Sequence, residues 1–154
     1  MIVLLDAGPL GMITNPESSP VTEAFIDWLA NLVSQGVEVV IPEIADYEVR
    51  HELPRAGKDR GLGRLDALKG ILGYAPITTA VMLKAAEFWA TARRAGRQSA
   101  DDASLDADVT LAAQAMASDG DQTVIATTNV RHLELFSFDA HLAGDRLKEG
   151  IFGL

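Results

Sequence analysis

The chain opens on an unbroken apolar run, Ile2-Val3-Leu4-Leu5, that stops at Asp6. A short run with β-branched residues and no polar alternation is the pattern of a strand buried on both faces, as in a parallel sheet. Asp6-Ala7-Gly8-Pro9 then reads as a turn. The loop Asn15-Pro16-Glu17-Ser18-Ser19-Pro20 leads into helical spacing over residues 21–34, where Phe25, Trp28, Leu29 and Leu32 share one face. Gln35-Gly36 ends that helix, and residues 37–41 form a second strand. Pro42 suits the opening of a helix that runs to about residue 53. A basic connection over residues 54–63 precedes a short helix over 64–74 and a brief strand at 75–77. Residues 78–94 predict a strong helix with Met82, Ala85, Ala86 and Trp89 in register, and residues 102–118 predict another, with Asp102 placed to cap it. Residues 122–127 form a last core strand, followed by an edge strand near Phe136 and a tail.

Strands alternating with helices predict one α/β domain spanning residues 1–154, with a mainly parallel central sheet. Such sheets bind ligands at the carboxyl ends of their strands. Hydrophobic residues make up 48% of the chain and charged residues 23%, enough apolar material for a core, which excludes disorder as the main state. The absence of cysteine excludes a disulfide scaffold, a thiolate metal site and a cysteine nucleophile. Apolar runs fall far short of the roughly 20 residues that span a bilayer. The start lacks a basic leader, so it reads as the first structural element rather than a secretory signal. The expected location is cytoplasmic, with no membrane partner.

The net charge of −9 argues against a binder that relies on bulk positive charge to hold nucleic acid. The charge is unevenly spread, however. Six of the thirteen basic residues lie between Arg50 and Lys69, and six aspartates with no Lys or Arg lie between Asp101 and Asp121. By charge alone both stretches read as solvated helix faces.

Four oxygen-bearing side chains fall where chemistry is expected. Asp6 ends the first strand, as a ligand, a helix cap or a turn residue. Glu48 follows the second strand on a helical stripe with Ile44, Tyr47 and His51, and needs either a functional role or a salt-bridge partner there. Glu43, Asp46 and Glu52 on the same helix read as surface residues. Asp108 continues the core face of its helix beside Leu105, Leu111, Ala112 and Ala115, whereas Asp106 points elsewhere. Asn129 follows the last core strand through Thr128 and is a neutral oxygen donor or a turn residue. Together they offer hard ligands suited to Mg²⁺ or Mn²⁺. A cation among them would make water a usable nucleophile and offset charge on a phosphate in transit. The basic stretch beside them would hold a phosphate backbone. In their metal-free state at least one of the clustered carboxyls should have a raised pKa. The histidines His51, His132 and His141 show no metal-ligand spacing, and no nucleophile elbow, dinucleotide fingerprint or P-loop is present.

These motifs, in this order, resemble the PIN-domain ribonucleases, a family that includes the VapC-type toxins of bacterial toxin–antitoxin pairs. The resemblance runs from Met1 to about Leu135. It rests on Ile-Val-Leu-Leu-Asp-Ala-Gly-Pro-Leu ending its strand at Asp6, and on Ile41-Pro42-Glu43-Ile44-Ala45-Asp46-Tyr47-Glu48. It rests also on Asp106-Ala107-Asp108-Val109-Thr110-Leu111-Ala112-Ala113-Gln114-Ala115 and on Val124-Ile125-Ala126-Thr127-Thr128-Asn129. The resemblance implies a three-layer α/β/α fold and Mg²⁺- or Mn²⁺-dependent endonucleolytic hydrolysis of RNA, leaving a 5′-phosphate. It implies Asp6, Glu48, Asp108 and Asn129 as catalytic and metal-binding residues, an antitoxin protein as partner and a homodimer. Trp28 and Trp89 are candidates for such an interface, although core packing is the expectation for both. Many relatives carry Asp where this chain has Asn129, which weakens a second metal site. The rival reading is a non-catalytic PIN-like module that binds RNA or protein. A phosphotransfer domain with Asp6 as nucleophile would want a second aspartate where Gly8 stands.

Overall fold

In the computed structural model of the chain, residues 1–95, 102–118, 122–128 and 141–142 are described. The apolar opening run forms β1 (Ile2–Leu5), whose last three side chains are buried. It lies at the centre of a five-stranded, all-parallel sheet with β2 (Glu38–Pro42), β3 (Gly73–Ala75), β4 (Thr123–Ala126) and β5 (His141–Leu142), in the order β3-β2-β1-β4-β5. Ile2 pairs with Glu38 on one side and Thr123 on the other, and Leu5 with Ala126.

The helices are α1 (Ala7–Thr14), α2 (Pro20–Ser34), α3 (Glu43–Arg55), α4 (Arg60–Lys69), α5 (Thr79–Arg94) and α6 (Asp102–Met116). Strand periodicity divides the core. Val3, Leu5, Val39 and Ile41 face one side and pack against Leu10 of α1, Phe25 and Leu29 of α2, Val49 and Leu53 of α3, and Leu65 of α4. Leu4, Val40 and Ile125 face the other side and pack against Leu111 and Ala115 of α6. Helix α5 covers α6 through Val81, Ala85 and Ala92. The result is the expected three-layer α/β/α architecture. Trp28 is partly buried, stacked on Phe25 with ring centroids 5.3 Å apart, and Trp89 packs against the α5–α6 core, in line with core packing.

Four local expectations are corrected. The turn after β1 is helix α1: Asp6 caps it, and Pro9 falls in its first turn, where a missing N–H costs nothing. Helix α4 starts and ends earlier than the spacing predicted, and β3 precedes Pro76 rather than containing it. The buried stripe of α5 is rotated by one residue, to Val81, Ala85 and Ala92; Met82 is 52% exposed and Ala86 is exposed. Helix α6 is described from Asp102 onward. The edge strand expected near Phe136 lies outside the described residues.

From β1 the chain runs outward to β2 and β3, then returns to place β4 on the other side of β1. The carboxyl ends of β1 and β4 therefore mark a topological switch point, the position where open parallel sheets leave a crevice for ligands.

Candidate active site

Asp6 is the first residue beyond β1, and its amide donates to Ala126 O (3.0 Å). Its backbone is extended (φ −65°, ψ 163°), so its side chain turns back over the first turn of α1. Oδ1 accepts from Ala7 N at 2.7 Å and Oδ2 accepts from Thr127 Oγ1 at 2.5 Å. Both the cap and the position at the ligand edge are real, since each carboxylate oxygen retains a second lone pair. Thr127 is 3% exposed and anchors Asp6 from the end of β4. The next residue, Thr128, lies so close to Gly8 that a Cβ there would overlap its Oγ1. Glycine at this position lets α1 approach the end of β4.

Glu48 lies on α3 and is half-buried. Tyr47 and His51, expected on its inward stripe, are instead exposed, and Glu48 stands at the margin of the core. Its carboxyl is pushed up to about 7, first by burial and then by the negative charges of Asp6 and Asp108; His51 opposes the shift. Carboxylates from three separate segments, the end of β1, α3 and α6, thus act on one another. Asp108 is half-buried beside the buried Leu105, Leu111, Ala112 and Ala115, while Asp106 is exposed, as its place on the helix implied. Asn129, the fourth expected residue, lies outside the described residues.

Among the described residues, no group of three or more His, Asp or Glu side chains is gathered closely enough to hold a metal ion. The donor chemistry of Asp6, Glu48 and Asp108 nevertheless fits a hard divalent ion. All the donors are carboxylate oxygens, and burial together with the negative charges of Asp6 and Asp108 pushes one of them, Glu48, up to about 7. Such an ion would keep several waters rather than fill an all-protein cage.

Asp46 corrects the sequence reading. It is 5% exposed rather than a surface residue. Its Oδ1 accepts from Arg50 Nε and Nη2 (3.2 and 3.0 Å), and its Oδ2 accepts from Lys69 Nζ (2.8 Å) and the Tyr74 hydroxyl (3.2 Å). Burial raises its pKa, but the bonds and charges of Lys69 and Arg50 outweigh that and hold it below the usual carboxylate range. Lys69 also sits over the Tyr74 ring, 4.1 Å from its centroid. Glu43 is half-buried too, its Oε2 accepting from Ile77 N, whereas Glu52 is exposed as expected and pairs with Arg55.

Most of the basic stretch is paired within the chain. Arg50 and Lys69 are committed to Asp46, Arg55 to Glu52, Lys58 to Glu17 (3.2 Å), and Arg64 donates to Asn15 O (2.7 Å). Buried Gln114, for which no local pattern offered a signal, accepts from Ile44 N and donates to Ala75 O (2.6 Å), tying α6 to the start of α3 and the end of β3.

Two grooves flank Glu48. One, of about 410 Å³, runs between α1 and α3 past Gly8, Gly11 and Lys58. The other, of about 820 Å³, lies between α3 and the α5–α6 layer and includes Tyr47, Met82 and Asp106. Glu48 and His51 line both.

No protein-family model and no curated protein matches the chain. Solved structures do. The fold is that of a PIN domain, the three-layer class seen in VapBC toxin–antitoxin complexes. One such structure is VapBC2 from Rickettsia felis, bound to a DNA fragment from its promoter. The TM-score is 0.70 at 15% identity, over 92% of this chain and 97% of that one. Another is VapBC-1 from nontypeable Haemophilus influenzae, with a TM-score of 0.65 at 17% identity over 92% and 96% of the two chains. At these identities the likeness is one of fold. Among the described residues, no helix is long and apolar enough to cross a membrane.

Proposed function

We propose that the chain is a single-domain, metal-dependent endoribonuclease, the toxin of a toxin–antitoxin pair, acting in the cytoplasm. The observation that carries this reading is the electrostatic coupling of Asp6, Glu48 and Asp108 at the switch point of the sheet. A nuclease that uses Mg²⁺ or Mn²⁺ needs oxygen donors gathered from several segments at one edge. Asp6, Glu48, Asp108 and Asn129 are the residues that would hold the ion. When bound, a divalent cation lowers the pKa of water and offsets charge developing on a phosphate.

The chain's own side chains supply the rest. Thr127 and the first turn of α1 orient Asp6 before any ligand arrives. Glu48 releases its proton when a cation compensates its neighbours. Asn129 contributes an oxygen without a charge, which favours one ion over two. The antitoxin partner is supported by the likeness to chains from VapBC complexes. Asn129 in place of the common Asp is what favours the alternative, a non-catalytic module that binds RNA or protein. The test is metal-dependent cleavage of RNA. Asp6→Asn, Glu48→Gln and Asp108→Asn are each expected to abolish it with the fold retained, and Asp106→Asn to matter less. Full activity in any of the first three removes that residue from the site.

A further inference from the structure

The larger groove beside Glu48 extends beyond the three coupled carboxylates along α3 and the α6 wall. Tyr47 projects into it from α3 and is 63% exposed, although it is a large aromatic residue. Its ring meets the His51 ring edge-on, with centroids 5.2 Å apart at 61°. His51 Nδ1 lies 3.0 Å from Tyr47 O, a contact that only an Nδ1–H can make, so the imidazole is fixed against the tyrosine by its own helix. Exposed aromatic rings at a groove margin are what unpaired nucleobases stack on.

The charge of the lining says which part of a nucleotide enters. The lining carries four carboxylates, Glu43, Asp46, Glu48 and Asp106, against Arg50 and His51. Arg50 is already held by Asp46 and by Asp66 Oδ1 (2.7 Å). A phosphate would be repelled here, whereas an amino group on a base edge would find an acceptor. Asp46 is filled by three partners and Glu43 accepts from Ile77 N, while Asp106 is the exposed carboxylate, on the α6 wall. The volume of about 820 Å³ lies within the range of small-molecule sites.

We propose that this groove receives one unpaired nucleobase of a single-stranded RNA, stacked on Tyr47, with Asp106 accepting from its exocyclic amino group. The proposal rests on the nuclease reading, in which the neighbouring phosphate lies at Asp6, Glu48 and Asp108. Cytosine, adenine and guanine offer such an amino donor and uracil does not.

The experiment measures equilibrium binding of fluorescent oligo(C) and oligo(U) to Asp108→Asn protein in Mg²⁺, with cleavage by the wild type followed in parallel. Tyr47→Ala is expected to weaken oligo(C) binding about tenfold or more, and Tyr47→Phe to leave it unchanged. One abasic position in the strand should cost the parent protein a similar factor and cost Tyr47→Ala nothing further. Oligo(C) should bind more tightly than oligo(U), and Asp106→Ala should narrow the difference. Undiminished binding by Tyr47→Ala, or a loss that persists in full on the abasic strand, overturns the proposal. If the wild type cleaves RNA while binding ignores Tyr47, the base subsite falls and the nuclease reading stands. If it neither binds nor cleaves, both fall.

Discussion

Glu48 concentrates the conflict between burial and charge in one side chain. It is held half-buried against two other carboxylates, so its protonated form is favoured to about pH 7. A carboxyl whose pKa is raised by folding stabilises the native state fully below its ordinary value, near 4.5, and that contribution is lost as pH rises through about 7. The metal-free protein should therefore lose stability between pH 5 and pH 8. The loss is at most about 3 kcal/mol, and less as far as water reaches the side chain. Glu48→Gln should flatten that pH dependence and raise the melting temperature at pH 8. Mg²⁺ should restore much of the lost stability to the wild type and little to the variant. Thermal melts at the two pH values check this, and an unchanged slope in the variant would show that the carboxyl is not strained. Thr127→Val tests the support beneath Asp6. Removing the hydroxyl should weaken Mg²⁺ affinity about tenfold by loosening a ligand, with the fold retained. Isothermal titration reads it directly, and wild-type affinity would assign Thr127 a packing role only.

Helix α3 shows what one element must satisfy at once. Its Val49 and Leu53 enter the core, Glu48 stands at the sheet edge, and Asp46 gathers Arg50, Lys69 and Tyr74 so that α3, α4 and β3 are fixed relative to one another. Asp46→Ala leaves two cations without their shared partner. Both reach solvent, so the expected loss is about 2 kcal/mol, below that of a fully buried pair. Urea denaturation at pH 7 measures it. Because the Asp46 pKa is lowered, its contribution is present above the ordinary value near 3.8 and lost below it, clear of the window in which Glu48 titrates. Gly61 in α4 makes the reverse of the usual helix prediction. Glycine to alanine normally stabilises a helix by roughly 1 kcal/mol, but here the new Cβ would meet Leu53 Cδ2 at 2.6 Å and Thr14 O at 2.9 Å. Gly61→Ala should destabilise by about 1–3 kcal/mol, and a raised melting temperature would contradict the close packing of α1, α3 and α4.

The same elements show what was legible in the sequence. Strands β1, β2 and β4 announce themselves because strands buried on both faces carry unbroken apolar runs. Helix α2 does so through Phe25 and Leu29. Helix α1 does not, because Gly8-Pro9 has turn propensity and only the contact with Thr128, 120 positions along, makes that glycine necessary. Asp46 read as surface because its partners Lys69 and Tyr74 stand 23 and 28 residues downstream, beyond any local period. The stripe of α5 was misplaced by one residue because alanine and methionine mark either face equally well. Asp6, Glu48 and Asp108 were legible from position, since two follow strands and one interrupts an apolar helix face.

At the scale of the whole molecule, strand order turns these separate residues into a site. The chain leaves β1 in one direction and returns on the other side, so the segments bearing Asp6 and Thr127 become neighbours at the switch point, and α3 and α6 bring Glu48 and Asp108 over the same edge. Net charge is a poor guide to such a protein. Its surplus of acid includes the coupled carboxyls of the site, and its basic stretch is largely spent on internal ion pairs. On the proposed nuclease reading, RNA binding is expected to depend on the cation and on contacts with the bases more than on a basic surface. The central claim is that the three coupled carboxylates make a metal-dependent nuclease. Its most direct test is incubation of wild type and Asp108→Asn with a pool of structured and single-stranded RNA in Mg²⁺, Mn²⁺ or EDTA. Cleavage by the wild type that requires the metal and disappears in the variant is expected. Absence of cleavage in every metal by folded, inhibitor-free wild type, or equal cleavage by the variant, would contradict it.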